Sequence, residues 1–263
     1  MVKALFLDID GTLVSFHTHR IPSSAVDALS EAKAAGVRIF IATGRPFVLI
    51  NNLKPLQEHR LIDGYVTMNG SYCFTDDTVI YKRPLPADDV QTFVRYCAEK
   101  NIPNIIVGEK DIAVCKPDAT VHAIFHDFLG VDIPIPTMEP EDICPDKEVY
   151  QLTPFVSQVE ENEIRPALKG CEINRWHPAF TDVTATGNNK QKGIDEVISH
   201  FNICLEDTMA IGDGGNDIPM LRHAGIGIAM GNADDAVKAS ARYVTSAVDE
   251  DGIAKALRHF GVI

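Results

Sequence analysis

Leu5-Phe6-Leu7-Asp8-Ile9-Asp10-Gly11-Thr12-Leu13 is the stretch from which the rest of the fold can be inferred. The apolar run 4–7 predicts a buried β-strand, and two aspartates appear where that strand ends. Ligands bind at the carboxyl ends of strands in open α/β sheets. Two carboxylates at such a place are costly to desolvate unless a cation or hydrogen-bond donors hold them. An Asp-Gly turn after an edge strand is the alternative interpretation of a DxD sequence taken alone.

Further groups that could bind a phosphate follow later apolar runs. Residues 37–42 end in Thr43-Gly44-Arg45, residues 209–212 end in Asp-Gly-Gly-Asn-Asp at 213–217, and Lys190 opens the helical segment before the latter run. A carboxylate that attacks a phosphate needs a divalent cation, because two anions must otherwise approach each other. It also needs donors and a cationic residue for the phosphoryl oxygens. The chain supplies these groups, and hard oxygen ligands in this number suit Mg²⁺.

Taken in order, DxDGT, a threonine, a lysine and GDGxND resemble the motifs of the haloacid dehalogenase-like (HAD) phosphohydrolase superfamily. The resemblance covers the whole core and implies an α/β fold with a doubly wound, Rossmann-like parallel sheet. It also implies that Asp8 is the nucleophile, which forms an aspartyl-phosphate and ligates the metal. Asp10 would be the general acid/base, with its backbone carbonyl offered to the metal.

The same resemblance assigns the remaining ligands. Asp213 would bind Mg²⁺ directly, and Asp217 would hold the metal's waters or the site lysine. The expected phosphate ligands are Thr43, Gly44, Lys190 and Asn216. Thr43 would donate both its hydroxyl and its backbone N–H. Without the resemblance, a threonine at a strand end is usually only a β-former, and a glycine-rich loop can simply cap a helix.

Two lysines compete for the cationic position. Lys190 and Lys192 both lie at the start of the helix predicted over 190–201. Many relatives place a lysine directly before a glycine, which favours Lys192, whereas counting back from the end of the helix aligns Lys190. Side chains at i and i+2 point to different faces of a helix, so only one of them can reach the site. We favour Lys190.

The pattern changes near Pro84, where helices begin to alternate with pairs of short strands. This pattern favours an inserted α+β layer over a continuation of the parallel sheet. The insertion resembles a C2-type cap of the Cof-like (IIB) variety. We therefore expect a core of residues 1–83 and 186–263 and a cap of residues 84–185 that determines substrate specificity and acts as a lid. Predicted cap elements are helices over 88–100, 119–129 and 157–168, strands over 104–107, 111–115, 149–153, 171–175 and 179–184, and a proline-rich connection after 129.

One stretch of the cap, Asn174-Arg175-Trp176-His177-Pro178, contains the single tryptophan between a cation and an imidazole. We predict that it forms a turn between two strands, with Arg175, Trp176 and His177 as candidates to contact the leaving group. Arg45 is a further candidate, because it could pair with phosphate or with an acid of the cap. The alternatives are a core tryptophan, a satisfied surface histidine and a solvated arginine.

The composition is that of an ordinary globular protein, with 263 residues of which 45% are hydrophobic and 23% charged. A net charge of −13 argues against a nucleic-acid or anionic-membrane surface. The N-terminal apolar run is too short for a signal peptide or a membrane span, and Asp8 interrupts it. The six cysteines lack CxxC pairs, and the nine histidines are scattered along the chain. We therefore expect buried thiols, a cytoplasmic protein, and neither a nucleic-acid nor a membrane partner.

The motifs and the family resemblance imply a Mg²⁺-dependent phosphatase of small phosphomonoesters, and we expect hexose phosphates to be preferred because an indole can face a sugar ring. A phosphomutase that uses the same pair of aspartates is the alternative enzyme, and pyridoxal phosphate and FMN are alternative substrates. A phosphometabolite-binding regulator without turnover is the alternative outside enzymes, but binding alone does not need the nucleophile Asp8. The expected partner is a small phosphorylated metabolite, and the sequence does not indicate the oligomeric state.

Overall fold

The computed structural model describes residues 1–131, 133–139 and 147–263, without the side chains of His126, Phe128 and Trp176. Within these residues the chain divides into two compact units. The core unit comprises residues 1–43, 52–81 and 189–263, and the cap unit comprises residues 44–51 and 82–188. The proline-rich connection expected after residue 129 lies partly outside the described residues.

Strands and helices of the described residues are numbered in chain order. The strands are β1 Ala4–Leu7, β2 Arg38–Ala42, β3 Gly64–Thr67, β4 Tyr72–Phe74, β5 Val79–Lys82, β6 Asn104–Val107, β7 Ile112–Cys115, β8 Gln151–Pro154, β9 Cys171–His177, β10 Phe180–Ala185, β11 Thr208–Gly212, β12 Ile226–Ala229 and β13 Tyr243–Val244. The α-helices are α1 Ser23–Ala34, α2 Lys54–Glu58, α3 Ala87–Glu99, α4 Ala119–His122, α5 Gln158–Ile164, α6 Lys190–Phe201, α7 Ile218–His223, α8 Asp235–Ser240 and α9 Gly252–His259.

Strand β1 lies in the middle of the sheet that the core unit contains. The strand order is β13-β12-β11-β1-β2-β3-β4-β5, and β1 pairs in parallel with both β11 and β2. All four residues of β1 are buried, as its uninterrupted apolar run predicts. Parallel pairing extends from β13 to β3, and β4 then runs antiparallel to β3. The predicted α/β fold with a doubly wound parallel sheet is thereby confirmed.

Two glycines allow helix α6 to lie close to the core sheet. A Cβ atom on Gly193 would lie 2.2 Å from Val66 Cγ1, and a Cβ atom on Gly70 would lie 2.2 Å from the carbonyl oxygen of Asn189. The side chain of Asn189 caps the helix. A larger residue at either glycine would displace the start of the helix. This packing therefore fixes the position of Lys190, the first residue of α6.

The cap unit contains an antiparallel sheet in the order β7-β6-β8-β10-β9. Helices α3 and α5 pack against one face of this sheet through an apolar cluster that includes Phe93, Leu152, Ile164 and Val183. Alternate residues of each strand point away from these helices. The unit therefore has the α+β arrangement that the sequence predicts for the insertion.

The segment after β2 differs from its prediction. Pro46 is suited to the first turn of a helix, and the sequence predicts that this helix runs to about Leu56. The helix is instead interrupted, because a single 3₁₀ turn covers Phe47–Leu49 and α2 starts anew at Lys54. Pro55 explains the break, since a proline inside a continuous helix lacks the N–H and clashes with the carbonyl four residues earlier. Residues 44–51 also group with the cap unit, whereas the sequence predicts a core that includes them.

Two predicted cap helices are shorter than expected. The segment predicted over 119–129 is α4 followed by a π-helical stretch over Ala123–Phe128. The segment predicted over 157–168 is α5 followed by a 3₁₀ turn over Arg165–Ala167, which contains a proline. In the second case the proline again explains why the α-helix stops.

The cysteines of the described residues are free thiols. Cys73, Cys97 and Cys115 are buried, but Cys171 is half-buried and Cys204 is exposed, so the expectation of uniformly buried thiols is wrong. Cys144 lies outside the described residues. Among those residues, no helix combines the length and the apolar character needed to cross a membrane.

Candidate active site

Three carboxylates meet at the carboxyl ends of β1 and β11. Asp8, Asp213 and Asp217 each offer one oxygen, and these oxygens lie within 4.8 Å of one another. The backbone N–H of Asp8 donates to the Ile211 carbonyl at 3.1 Å, so the parallel pairing of the two strands holds the first aspartate beside the second motif. Asp8 is 6% exposed. The structure thus brings together three of the four residues predicted to hold the metal.

Lys190 joins two of these carboxylates. Its Nζ lies 2.5 Å from Asp8 Oδ1 and 2.5 Å from Asp217 Oδ1, and its side chain is fully buried. Lys192 instead pairs with Glu196 and lies over the ring of Tyr81. Of the two lysines that the sequence left in competition, Lys190 is the one whose ammonium group reaches the carboxylates.

The loop after β1 approaches Asp213 so closely that a glycine is required. Gly11 has a φ of +83°, and a Cβ atom there would lie 2.1 Å from Asp213 Oδ2. The next residue, Thr12, is fully buried and donates its hydroxyl to Asp213 Oδ1 at 2.7 Å. On the other side, Asn232 Nδ2 lies 3.2 Å from Asp213 Oδ2. Hydrogen bonds therefore hold both oxygens of this carboxylate.

The carboxylate of Asp217 accepts hydrogen bonds from the loop that follows β11 and from Lys190. Its Oδ2 accepts the backbone N–H groups of Asp213 and Gly214, both at 2.9 Å, while its Oδ1 contacts Lys190. Both oxygens are thus engaged by protein groups. This arrangement agrees with the expected contact between Asp217 and Lys190.

Burial and mutual repulsion shift the pKa values of the cluster. Burial, and next the charge of Asp217, raise the pKa of Asp8 well above its ordinary value, although Lys190 opposes the shift. Burial and the charge of Asp217 also raise the pKa of Asp213 to about 7. Burial works to lower the pKa of Lys190, but the charges of Asp217 and Asp8 outweigh it and raise that pKa.

The charge balance of the cluster fits a divalent cation. Three carboxylates face the single ammonium group of Lys190, which leaves an excess of negative charge in a buried place. An added cation would relieve the repulsion that raises the carboxylate pKa values. Carboxylate oxygens are the ligands that Mg²⁺ prefers. Asp10 is partly exposed, and its carboxylate does not belong to this cluster of three oxygens. The role expected for Asp10 at the metal involves its backbone carbonyl instead.

Thr43 and Asn216 lie at the ends of β2 and β11. Thr43 is buried, and its N–H donates to the Val66 carbonyl at 2.8 Å. The expectation that this N–H binds phosphate is therefore wrong, because the pairing between β2 and β3 continues to residue 43. The Thr43 hydroxyl remains the candidate donor. Asn216 Nδ2 donates to Asn69 Oδ1 at 3.0 Å.

Sequence reasoning missed three residues of this site. Thr12 belongs to the first motif but received no role, while Asn69 and Asn232 each follow a strand of the parallel sheet. The rule that drew attention to Thr43, a polar residue at the carboxyl end of a strand, would also have found both asparagines.

The cap candidates mostly serve the cap itself. Gly44 and Arg45 belong to the cap unit, where the buried Arg45 donates to the carbonyls of Leu49 at 3.2 Å and Leu129 at 2.8 Å. The burial of Arg45 contradicts the alternative of a solvated arginine. Backbone carbonyls at the end of a helical segment are natural partners for arginine.

Arg175 is likewise occupied by structural contacts. It forms an ion pair with Glu161 at 2.9 Å and donates to backbone carbonyls that include those of Val156 and Pro178. All three guanidinium nitrogens are used, so the prediction that Arg175 contacts the leaving group is not supported.

His177 stacks on Phe180 with 5.0 Å between ring centres, and its Nδ1 accepts the Ala179 N–H at 3.2 Å. Burial, assisted by the charge of Arg175, lowers the pKa of His177. The side chain of Trp176 lies outside the described residues.

Known proteins resemble this chain over nearly its whole length. The sequence profile of the haloacid dehalogenase-like hydrolase family matches residues 5–257. The structure of the HAD subclass IIB sugar phosphatase BT4131 superposes with a TM-score of 0.95 at 58% identity, and 100% of both chains is covered. The YkrA protein of Bacillus subtilis is 35% identical over 99% of this chain and 98% of that protein. The pyridoxal phosphate phosphatase YbhA of Escherichia coli is 30% identical over 96% of each chain.

These likenesses agree with the geometry at the ends of β1 and β11. One buried cluster contains residues of the DxDGT motif, Lys190 and residues of the Gly-Asp-Gly-Gly-Asn-Asp motif. These follow one another along the chain in the same order as the motifs of the family. The chain therefore belongs to the haloacid dehalogenase-like hydrolases, within which it is a Cof-type phosphatase that hydrolyses phosphoric monoesters.

Proposed function

We propose that this enzyme is a Mg²⁺-dependent phosphatase of sugar phosphates, with hexose phosphates as the preferred class, and that it works through an aspartyl-phosphate on Asp8. The observation that carries the proposal is the contact of Lys190 with both Asp8 and Asp217, at 2.5 Å each, beside Asp213. A binding protein without turnover would have no need of a buried carboxylate held in this way.

In the first half of the reaction, an oxygen of Asp8 forms a bond to phosphorus while the bond from phosphorus to the ester oxygen breaks. Lys190 holds Asp8 Oδ1, which limits rotation of the carboxylate and orients it for attack. Asp10 gives its proton to the departing ester oxygen. The products of this step are the free alcohol and the phosphorylated Asp8.

In the second half, water attacks the phosphorus of the aspartyl-phosphate. Asp10, now ionised, takes a proton from that water, and the bond from phosphorus to Asp8 breaks. Free phosphate leaves and the carboxylate of Asp8 is restored. A phosphomutase would instead return the phosphoryl group to a second sugar hydroxyl, so release of free phosphate distinguishes the two reactions.

Mg²⁺ would be held by Asp8, Asp213 and the backbone carbonyl of Asp10, and it would neutralise charge between the nucleophile and the phosphate. Asp217 would support this site by holding Lys190 and the 213–214 backbone. The phosphoryl oxygens would accept hydrogen bonds from the Thr43 hydroxyl and from Asn216, with Gly44 as a further candidate.

A buried polar network in the cap unit supports a hydroxyl-rich leaving group. Gln151 Nε2 lies 3.1 Å from Thr153 Oγ1 and 3.1 Å from Asp182 Oδ1, and Thr153 Oγ1 donates to Asp182 Oδ1 at 2.9 Å. Gln151 and Thr153 alternate along β8 with Leu152 of the apolar cluster, so they lie on the opposite face of the cap sheet from α3 and α5.

Two atoms beside this network have no hydrogen-bond partner within the part of the chain that the structure describes. They are Gln151 Oε1 and Thr184 Oγ1. A buried polar atom without a partner is destabilising by about 1–3 kcal/mol, and ligand hydroxyls would satisfy both atoms. Together with the 58% identity to a sugar phosphatase, this chemistry favours a sugar over the flat rings of pyridoxal phosphate or FMN.

A phosphate-release screen tests the proposal. The purified enzyme with Mg²⁺ would be offered hexose phosphates, pentose phosphates, nucleotides, pyridoxal phosphate and FMN, with Asp8→Asn as the matched control. We expect the highest kcat/KM for a hexose phosphate, without a bisphosphate activator, and none for Asp8→Asn. A preference for pyridoxal phosphate or FMN would contradict the substrate class, whereas a requirement for a bisphosphate activator would favour the mutase.

A further inference from the structure

Asn232 connects three loops of the core unit. It lies in the turn after β12, where the Gly231 N–H donates to the Ser246 carbonyl at 3.0 Å. Asn232 Nδ2 donates to the Gly11 carbonyl at 2.9 Å and to Asp213 Oδ2 at 3.2 Å. Its Oδ1 accepts the Val248 N–H at 3.0 Å. One amide group thus joins the nucleophile loop, the second acidic motif and the loop before α9.

Both oxygens of the Asp213 carboxylate are held by such contacts. Thr12 donates to Oδ1 and Asn232 donates to Oδ2. A carboxylate oxygen can accept more than one contact, so these bonds orient the group and leave acceptor capacity for a cation. Hydrogen bonds of this kind to metal ligands fix their orientation, and their loss weakens metal binding by about 10–100-fold.

The orientation of the Asn232 amide is set by its partners. Its oxygen faces a backbone N–H and its nitrogen faces two oxygens, so only one of the two amide orientations satisfies all three groups. A serine or a threonine at this position would be too short to join three loops. The geometry therefore requires a planar amide at residue 232.

We infer that Asn232 is a positioning residue for the metal site: it holds Asp213 at the distance and angle from the nucleophile loop that cation binding requires. This inference rests on the proposed Mg²⁺ site. The effect of Asn232 is transmitted through its contacts with Asp213 and with the carbonyl of Gly11, which adjoins Asp10.

Direct measurement of Mg²⁺ binding tests the inference. Isothermal titration and the Mg²⁺-induced rise in melting temperature would be measured for the wild type, Asn232→Ala and the similarly sized Asn232→Leu. Thr245→Val is the matched control. Thr245 lies in the loop after β13, and its Oγ1 donates to the Gly252 carbonyl at 2.7 Å, so the substitution removes a hydrogen bond that does not involve Asp213. The same proteins would be assayed for kcat and KM over a series of Mg²⁺ concentrations.

We expect both Asn232 variants to bind Mg²⁺ about 10–100-fold more weakly than the wild type. Their kcat should recover substantially at saturating Mg²⁺, while KM for the substrate changes little. Thr245→Val should lower the melting temperature without changing the Mg²⁺ dissociation constant.

A Mg²⁺ dissociation constant within about twofold of the wild-type value in both Asn232 variants would overturn the inference. Failure of both variants to fold would also overturn it, because the side chain would then serve the fold alone. A wild-type enzyme that binds no Mg²⁺ would overturn the proposed metal site as well. Wild-type binding combined with unchanged binding by the variants would overturn only the role of Asn232.

Discussion

Lys190 Nζ lies 2.5 Å from Asp217 Oδ1, and both side chains are fully buried. Asp217 Oδ2 in turn accepts the N–H groups of Asp213 and Gly214. Lys190, which contacts the proposed nucleophile Asp8, is therefore tied to the loop that carries the proposed metal ligand Asp213. A change at either residue should disturb both functions, because a buried charge that loses its partner is strongly destabilising.

Lys190→Met should abolish turnover, whereas Lys192→Met should leave it close to that of the wild type. Lys190→Met removes the cation between Asp8 and Asp217, and we expect it to lower the free energy of unfolding by about 3 kcal/mol. Lys192 is the matched control, because it starts the same helix but pairs with Glu196 outside the carboxylate cluster. Denaturant unfolding and kcat measurements check both effects. A severe loss of kcat in Lys192→Met alone would show that the site lysine is misassigned.

Asp8→Asn should eliminate the aspartyl-phosphate, because an amide cannot take the place of the carboxylate nucleophile. Asp10→Asn should lower kcat by about 10²–10⁴-fold, the usual effect of losing a general acid/base. Steady-state phosphate release measures both losses, and far-UV circular dichroism checks that the variants are folded. A loss of less than about tenfold in Asp10→Asn would argue against its proton-transfer role.

Stabilisation by Mg²⁺ should increase with pH around neutrality. The pKa of Asp213 is about 7 in the protein without metal, against an ordinary value of about 4. A carboxyl group whose pKa is higher in the folded than in the unfolded state binds more protons when folded. The group therefore stabilises the folded state fully at pH values below its pKa in the unfolded state. This stabilisation is lost as the pH rises through its pKa in the folded state.

The ionised form of Asp213 is also the form that would ligate Mg²⁺ in the proposed site. The Mg²⁺-induced rise in melting temperature should accordingly be larger at pH 8 than at about pH 6. Asp213→Asn should weaken Mg²⁺ binding and flatten this dependence. Differential scanning calorimetry with and without EDTA provides the measurement, and an equal Mg²⁺ shift at both pH values would contradict the prediction.

The core elements could be predicted because their signals are local. The apolar run of β1 predicts a buried central strand, and the groups around Asp8, Thr43 and Asp213 each follow such a run. Parallel strands bring their carboxyl ends to the same edge of the sheet, which is why residues far apart in sequence could be placed in one site. The choice of Lys190 over Lys192 depended on an alignment of the helix, and the structure supplied the contact that separates the two.

The remaining features depend on contacts that sequence patterns do not encode. Arg175 carries a charge beside a tryptophan and a histidine, which drew attention to it as a ligand contact. Its guanidinium group instead joins Glu161 and several backbone carbonyls within the cap. Asn232 has no charge and belongs to no motif that was considered. Its importance lies in three hydrogen bonds to loops distant in sequence.

Thr184→Val should change the ranking of substrates, because it removes a buried hydroxyl that has no hydrogen-bond partner among the described residues. If this hydroxyl binds a leaving-group hydroxyl, the variant should lose kcat/KM on hexose phosphates by about tenfold, the cost of one missing hydrogen bond. Activity on p-nitrophenyl phosphate, which offers no such hydroxyl, should change little. Thr181→Val is the matched control, because Thr181 is equally buried on the same strand but donates to the Asn174 carbonyl. That substitution should lower stability and leave the substrate ranking unchanged, and equal effects of Thr184→Val on every substrate would remove Thr184 from leaving-group recognition.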